Sequence, residues 1–207
     1  LKENKIALVA LIVLLLLIVM VCIGPAISGY NFEQMDTSAI NQKPSAEHWF
    51  GTDQQGRDIF CRILIGSQIS LTVGLLYVAI SLTVGVALGA IAGYKGGVVD
   101  TVIMRFMDMM LAIPSILLAI AFMAALGRGI DKAIIAIGFV SIPEYARIVR
   151  SQVLAVKQAD YVAAARVIGD SDALIIFRHV LPNVMPSIIV RATLGISAAI
   201  LDAAALG

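Results

Sequence analysis

Residues 69–93 read ISLTVGLLYVAISLTVGVALGAIAG, a run of 25 residues without a charge. A helix needs about 20 consecutive apolar residues to cross the hydrocarbon core of a bilayer, so this run predicts a transmembrane helix. Gly85 and Gly89 are four residues apart, and Gly93 extends the series. Glycines at this spacing let helix backbones approach closely in lipid. The stretch therefore indicates a membrane protein whose helices pack backbone against backbone.

The composition of the whole chain supports the same class. Its residues are 60% hydrophobic and 14% charged, whereas soluble domains average about 45–50% apolar and about 25% charged residues. The net charge of +1 indicates nothing about nucleic acid, and the basic residues are too scattered along the chain to form a patch that follows a phosphate backbone. Cys22 and Cys61 make no disulfide framework, and His48 and His179 make no metal site at ligand spacing.

Four further apolar runs accompany residues 69–93. Together they predict an all-α polytopic membrane protein with five spans, which we expect to be part of a longer protein with a sixth span beyond Gly207. The runs are 6–23, 69–93, 109–126, 133–143 and 184–206. The first is predicted to be a retained anchor, because it is long for the apolar region of a signal peptide and no convincing cleavage site follows.

Two of these runs contain a proline. Pro114 is expected to kink the third span, because proline removes a backbone hydrogen bond. The fourth run has only 11 residues up to Pro143, which is short for a span. Either its helix continues past Pro143 to Arg150, or it is a broken helix that lines a cavity.

The segments between the runs predict the organisation of the chain. We expect an N-terminal transmembrane helix over 1–25, a periplasmic loop over 26–68, and a transmembrane core over 69–207 that includes a cytoplasmic loop, 144–182. Apolar residues at helical spacing in Arg57–Gln68 predict a short interfacial helix at the end of the first loop.

Basic residues predict the orientation, because they are enriched in cytoplasmic loops. Three regions on one side of the predicted spans contain them: Lys2 and Lys5; Lys95 and Arg105; and Arg147, Arg150, Lys157, Arg166 and Arg178. The N-terminus is therefore predicted to be cytoplasmic, in a multi-pass protein.

The most informative polar interval is residues 160–183, which read DYVAAARVIGDSDALIIFRHVLPN. Tyr161–Ile168 contains good helix formers, and Gly169 is expected to end that helix because it tolerates backbone angles that other residues avoid. Ser171 or Asp170 is then expected to cap a second short helix, and Pro182 to end it. The pattern predicts two short helices joined by a flexible elbow beside the membrane.

This interval resembles the EAA motif of ABC importer permeases. The matching frame is Ala164-Ala165, three residues, Gly169, nine residues, His179, one residue and Leu181-Pro182. Two positions depart from it: Ala163 stands where a glutamate is usual, and His179 where an isoleucine is usual. The resemblance implies a type I permease fold and a coupling helix that docks on a cytoplasmic ATPase. It assigns ATPase coupling to Ala163, Ala164, Ala165, Arg166, Gly169, Asp170, Leu181 and Pro182.

Two more motifs are similar to the second permease subunit of dipeptide, oligopeptide and nickel importers. One is HWFGTDQQGRD over 48–58, followed by Arg62; the other is GYKGG over 93–97, with Asp100, Met104-Arg105 and Asp108. Ala199-Ile200-Leu201 agrees with the same subunit. The resemblance implies outer-mouth roles for Gly51, Thr52, Asp53, Gly56, Arg57 and Asp58.

The same resemblance implies partners and a location. These are a second, different permease subunit, two ATP-binding subunits that use ATP and Mg²⁺, and a periplasmic or lipid-anchored substrate-binding protein, in the bacterial inner membrane. The sequence contains no Gly-x₄-Gly-Lys-Ser/Thr loop for phosphate. We therefore expect the chain to be a pore subunit that binds no cofactor and is not an enzyme.

Arg191 and Asp202 are charges inside the fifth run. They are 11 residues apart, which places them within about 20° of one helix face and about 16 Å apart along the axis. Either this face lines the translocation path or a subunit interface, or Asp202 reaches the outer surface while Arg191 bonds to a neighbouring helix. Glu144, after Pro143, is interpreted as a helix-end carboxylate at the membrane surface.

Two other classes of protein fit the sequence less well than an importer subunit. A membrane-embedded enzyme lacks support, because no nucleophile–base pair or metal ligand set is present. A stand-alone channel or carrier would not need a docking loop with an elbow. Short peptides are the expected cargo, and nickel chelates or antimicrobial peptides are the alternatives, because permeases for all of them look alike.

Overall fold

The computed structural model describes residues 5–29 and 31–206, so Lys2 of the orientation argument lies outside the described residues. Within them the chain is helical, and its only β pairing is a single bridge between Thr52 and Asp58. The helices are α1 (Lys5–Ser28), α2 (Ile59–Lys95), α3 (Gly97–Leu111), α4 (Ser115–Leu126), α5 (Ile130–Val140), α6 (Ile142–Val156), α7 (Asp160–Ile168), α8 (Asp172–Ile175) and α9 (Leu181–Leu206), with a 3-10 turn at Thr37–Ala39 and a π turn at Ile176–Val180.

Two of the described helices are long and apolar enough to cross a membrane. They are α2, with 37 residues, and the continuous helix Asp172–Ala205, with 34 residues. The pair α3 and α4 makes a third if it counts as one span bent by 91°. Leu8–Gly24 of α1 is a shorter apolar helix by the same test. The predicted all-α membrane class is confirmed.

The chain divides into two compact units, Leu1–Thr72 and Val73–Gly207. In the first unit the end of α1 packs against the start of α2. A Cβ added to Gly24 would lie 2.7 Å from the Leu64 side chain, and Gln68 Nε2 donates a hydrogen bond of 2.9 Å to the carbonyl of Val21. These contacts hold the first two helices of the unit side by side.

The start of α2 differs from the prediction of a separate interfacial helix over Arg57–Gln68. From Ile59 onward these residues are the first turns of α2. No proline interrupts them, and Gly66 has nothing within 4 Å of the place where a Cβ would stand. Ser67 Oγ donates to the Ile63 carbonyl at 2.7 Å within the helix. These residues therefore belong to α2 and form no separate helix.

In the second unit α2 packs against α6 through three glycines. A Cβ on Gly85 would lie 2.5 Å from Tyr145 Cβ, and one on Gly93 would lie 2.9 Å from the Arg150 carbonyl oxygen. A Cβ on Gly89 would collide with the carbonyl oxygen of Ala146. The close helix approach predicted from the glycine spacing is confirmed, with α6 as the partner.

Two of the predicted spans are broken rather than continuous. Pro114 precedes α4 as its N-cap residue, and the chain turns by 91° between α3 and α4, which is far more than a kink. Ser141 separates α5 from α6. Pro143 lies in the first turn of α6, where its missing N–H costs nothing. Both interpretations of residues 133–143 are met in part: the helix is broken at Ser141, and α6 continues past Pro143 and Arg150 to Val156.

The prediction that Pro182 ends a short helix is wrong. The chain is helical from Asp172 through Ala205, because the π turn at Ile176–Val180 makes room for the proline. In this turn the Leu181 N–H bonds to the Ile176 carbonyl, five residues earlier. Asn183 Nδ2 donates to the His179 carbonyl at 2.7 Å, which supplies a donor close to the one that proline lacks.

The predicted loop over 144–182 is also helical at both ends. Its first part belongs to α6, whose Val149 and Val153 are buried in one cluster with Val162 and Ala165 of α7. The segment that projects from the helices is therefore centred on α7 and is shorter than the sequence suggested.

We predict that Gly89→Leu destabilises the protein by roughly 1–3 kcal/mol, because the new side chain must push α6 away from α2. Gly66→Leu, on the same helix but facing open space, is the matched control and should leave stability unchanged. The thermal midpoint of the detergent-solubilised protein measures both. Equal midpoints for the two variants would contradict the tight α2–α6 contact.

Candidate functional site

Helix α7 has one buried face and one exposed face. Val162 is 0% exposed and Ala165 4%, whereas Val167 on the opposite side is 88% exposed and Ile168 81%. The α7 surface consists of the exposed residues Tyr161, Ala163, Ala164, Val167 and Ile168. It is a small apolar surface on a helix whose other side is anchored in the core.

The joint after α7 is a Schellman motif. Gly169 has φ +96° and ψ +18°, a left-handed conformation that strains other residues. Its N–H bonds to the Arg166 carbonyl at 3.1 Å, and the Asp170 N–H bonds to the Ala165 carbonyl at 3.1 Å. These bonds satisfy carbonyls that a helix end leaves without partners. The sequence correctly indicated Gly169 as the end of the helix.

The cap of the next helix is Ser171 rather than Asp170. The Ser171 hydroxyl accepts a hydrogen bond from the Leu174 N–H. Asp170 lies instead beside His179, with 3.4 Å between Oδ2 and Nε2. Asp170 and Ser171 therefore each make a contact that holds the turn after Gly169 in place. We call this turn the corner after α7.

Arg166 ties α7 to the end of α2. Its Nε donates to the Tyr94 hydroxyl at 3.2 Å, and its guanidinium lies 5.0 Å from the centroid of that ring. Lys157 Nζ lies 5.6 Å from the same centroid. Cations over an aromatic face are attracted by its quadrupole, so Tyr94 fixes both the start and the end of the α7 segment.

The structure separates the predicted coupling residues into three groups. Ala163, Ala164 and Pro182 are exposed, whereas Ala165 is buried and Leu181 half-buried. Arg166, Gly169 and Asp170 shape the segment through the contacts above. Sequence reasoning missed Val167 and Ile168, which dominate the exposed face. Their signal was present, because apolar residues opposite a buried face have no place in an ordinary solvated helix.

Both broken spans open onto one cavity of about 280 Å³ in the second unit. Pro114 and Ser115, at the break before α4, line it, as does Ser141, at the break before α6. We call it the charged cavity, because Glu144, Arg191 and Asp202 also line it. Irregular backbone at membrane depth is tolerated where it lines a water-filled cavity or is buried in protein.

Arg191 of α9 forms an ion pair with Glu144 of α6. The guanidinium also lies 5.5 Å from the ring centroid of Tyr145. Glu144 is thus the partner of the Arg191 charge, and its place at the membrane surface, as interpreted from the sequence, stays a prediction. No local pattern could show this pair, because its members are 47 residues apart.

Asp202 lines the same cavity and lies 11 residues after Arg191, near the C-terminal end of α9. It is half-buried, and the described residues provide it with neither a hydrogen bond nor a salt bridge. The structure thus brings both predicted path residues, Arg191 and Asp202, to one cavity without pairing them, as their spacing indicated. Whether this cavity is a translocation path stays a prediction.

In the first unit, Asp53 is the centre of the loop between α1 and α2. Its Oδ2 accepts from Arg57 Nε and from Arg62, each at 2.9 Å. Its Oδ1 accepts the backbone N–H groups of Gln55 at 2.8 Å and Arg57 at 3.0 Å. Partial burial raises the pKa of Asp53, but these hydrogen bonds and the Arg57 charge outweigh it and lower the pKa to about 2.

The other predicted outer-mouth residues also hold this loop together. The Thr52 hydroxyl donates to the Ala39 carbonyl, and Asp58 Oδ1 accepts the Cys61 N–H at 2.7 Å at the start of α2. Gly51 and Gly56 have positive φ angles of 74° and 73°. Gly51, Thr52, Gly56 and Asp58 are buried, so they shape the loop. Their role at an outer mouth stays a prediction.

Residues 85–207, which contain both the charged cavity and α7, match the family described as "Binding-protein-dependent transport system inner membrane component". The chain belongs to this family of permeases. Residues 1–44 match a second family, the "N-terminal TM domain of oligopeptide transport permease C". The first of these matches covers most of the second unit of the permease.

Curated relatives cover the permease from end to end. It is 47% identical over 100% of its length to the dipeptide transport system permease protein DppC of Alkalihalophilus pseudofirmus, covering 68% of that protein. It is 44% identical over 100% of its length to the probable D,D-dipeptide transport system permease protein DdpC of Escherichia coli K12, covering 70%. It is 44% identical over 99% of its length to the glutathione transport system permease protein GsiD of Escherichia coli O6:K15:H31, covering 68%.

We predict that the loop of the permease loosens in acid through Asp53. A carboxyl with an ordinary pKa of 3.8 and a folded pKa of about 2 stabilises the loop fully above about pH 4, and this stabilisation is lost as the pH falls through 2. Trp49 reports the change, because it is the only tryptophan and its ring lies 5.1 Å from that of Phe60. Its emission should shift near pH 2.

Asp53→Asn is the companion variant for that titration. It should show shifted Trp49 emission already at pH 7, because the amide cannot replace the charge between Arg57 and Arg62. An unshifted spectrum in this variant would show that the loop does not depend on the carboxylate.

We also predict that Gly169→Val disturbs the corner after α7. A β-branched residue at φ +96° costs roughly 1–2 kcal/mol, although there is open space around the position. Gly169→Asn is the matched control, because asparagine tolerates this conformation. Hydrogen exchange of residues 160–175 should increase in the valine variant and remain near wild type in the asparagine variant. The reverse order would contradict the strain argument.

Proposed function

We propose that this permease is one of two different pore subunits in an ATP-driven importer of short peptides. A solute-binding protein delivers the peptide to the side of the membrane that carries the Asp53 loop. Two separate subunits bind ATP and Mg²⁺ on the cytoplasmic side, where the N-terminus also lies, and α7 docks on one of them. The complex resides in the bacterial inner membrane.

The observation that carries this proposal is the α7 surface. Val167 and Ile168 expose apolar side chains almost fully, although the helix that bears them is anchored through Val162, Ala165 and Arg166. Exposing such groups to water is unfavourable, which favours a protein partner at this surface. The small side chains of Ala163 and Ala164 let a partner approach the backbone closely.

Transmission of movement follows from the contacts behind that surface. α7 shares its buried cluster with α6 and α9, and α6 carries Glu144 at its first turn. A partner that displaces α7 therefore acts on the helices that line the charged cavity. ATP binding supplies energy for transport only if docking differs between two conformations.

The cargo is proposed from the relatives. Those named above belong to systems for a dipeptide, a D,D-dipeptide and glutathione, and another is an oligopeptide permease of Bacillus subtilis, 39% identical over 99% of this chain. All of these are short peptides.

The proposal is tested on the complete transporter, reconstituted in liposomes with its binding protein. We predict that Val167→Asp lowers peptide uptake at least about tenfold, because a carboxylate in an apolar contact must be desolvated without a partner. ATP hydrolysis should lose its stimulation by the peptide-loaded binding protein. Uptake of labelled dipeptide and phosphate release are measured together.

Two variants serve as controls for this test. Val167→Leu keeps an apolar side chain and should retain coupling. Ala163→Glu restores the carboxylate usual in related permeases and should also be tolerated, because docking is proposed to depend on helix shape. Coupled transport by Val167→Asp at the wild-type rate would show that the α7 surface is not the docking site.

A further inference from the structure

The charged cavity is the place where the structure concentrates its irregular backbone and its charges. The breaks at Pro114 and Ser141 both open onto it. Broken helices in transporters often surround the site that a substrate occupies. The volume of about 280 Å³ lies near the lower end of the roughly 300–1,000 Å³ of small-molecule sites. The cavity therefore suits a compact ligand.

The charges around the cavity do not balance. Its lining contains one cation, Arg191, and two carboxylates, Glu144 and Asp202. Arg191 is already paired with Glu144 and lies against the Tyr145 ring. The remaining carboxylate, Asp202, has no ion pair among the described residues. The cavity thus carries one uncompensated negative charge and lacks one cation.

An uncompensated carboxylate in a transmembrane helix is costly, and such residues commonly mark the pathway of a substrate or an ion. A metal ion does not fit this site, because the described part of the chain has no cluster of three or more metal-ligating side chains. A single carboxylate beside Ser115, Ser141 and apolar side chains is better suited to an ammonium group, which needs one counter-charge and a few hydrogen-bond acceptors.

We propose that Asp202 binds the α-ammonium group of the transported peptide. This inference rests on the proposed function. Peptides of one length differ in their side chains and share only their backbone and their charged ends. A permease that accepts many sequences must therefore recognise those shared groups. Arg191 and Glu144 line the same cavity but compensate each other, so Asp202 is the charge left for the cargo.

The test compares Ala-Ala with N-acetyl-Ala-Ala, which has no α-ammonium group, in the complete reconstituted transporter. The affinity of the isolated binding protein for each peptide is measured first, so that transport is compared at saturation. Asp202→Asn should lower the maximal uptake rate of Ala-Ala about tenfold or more, which is the size expected for a lost charge-assisted contact. The rate for N-acetyl-Ala-Ala should stay within about twofold of wild type. Asp202→Glu should restore most of the Ala-Ala rate.

Saturation-transfer NMR on the purified transporter without its binding protein gives a second measurement. Wild type and Asp202→Glu should transfer magnetisation to Ala-Ala, and Asp202→Asn should not. Asp131→Asn is the matched control, because Asp131 pairs with Lys132 and is largely exposed, away from the cavity. It should change neither measurement.

The outcomes separate this inference from the proposed function. If wild type imports no peptide at all, the proposed function fails and the inference fails with it. If wild type imports Ala-Ala and Asp202→Asn changes nothing, only the inference is overturned. An equal loss for both peptides, or loss of the second permease subunit on purification, would show that Asp202 has a structural role and would also overturn it.

Discussion

The close approach of α2 and α6 determines where both candidate sites lie. Gly85, Gly89 and Gly93 remove the side chains that would otherwise keep the two helices apart, so that the α6 backbone rests directly on α2. Lipid gives helices little hydrophobic reason to associate, and close backbone packing supplies much of the attraction instead. Because α6 is held in this way, Glu144 at its start faces Arg191, and its other end leads directly into α7.

Through α6, this arrangement connects the charged cavity with the apolar α7 surface. At one end of α6 a charged pair borders a cavity, and at the other end an anchored helix exposes apolar side chains. The 15 residues of α6 span about 22 Å, and tightly packed helices transmit displacement rather than absorb it. In the proposed importer, α6 is the mechanical link between the α7 surface and the charged cavity.

The sequence was informative where the cause of a feature is local. The apolar runs predicted the helices, Gly169 the left-handed corner, and the glycine spacing the close helix contact. It was uninformative where the cause is a distant residue or a compensating turn. The partner of Arg191 could not be named because Glu144 is 47 residues away, and Pro182 looked like a helix end because a π turn is not visible in a residue pattern. Arg191 and Asp202 were correctly placed on one face, but only packing brought them to one cavity.

The π turn at Ile176–Val180 has a consequence beyond its accommodation of Pro182. The number of residues in the turn sets the direction in which every later side chain of α9 points around the helix axis. One residue more or less in the turn would rotate the rest of the helix by about 100°. Arg191 lies 11 residues beyond Val180, about 16 Å along the axis. The orientation of the charged face is therefore set by chain length at a distant point, and an insertion or deletion there would redirect the lining of the charged cavity without altering any residue in it.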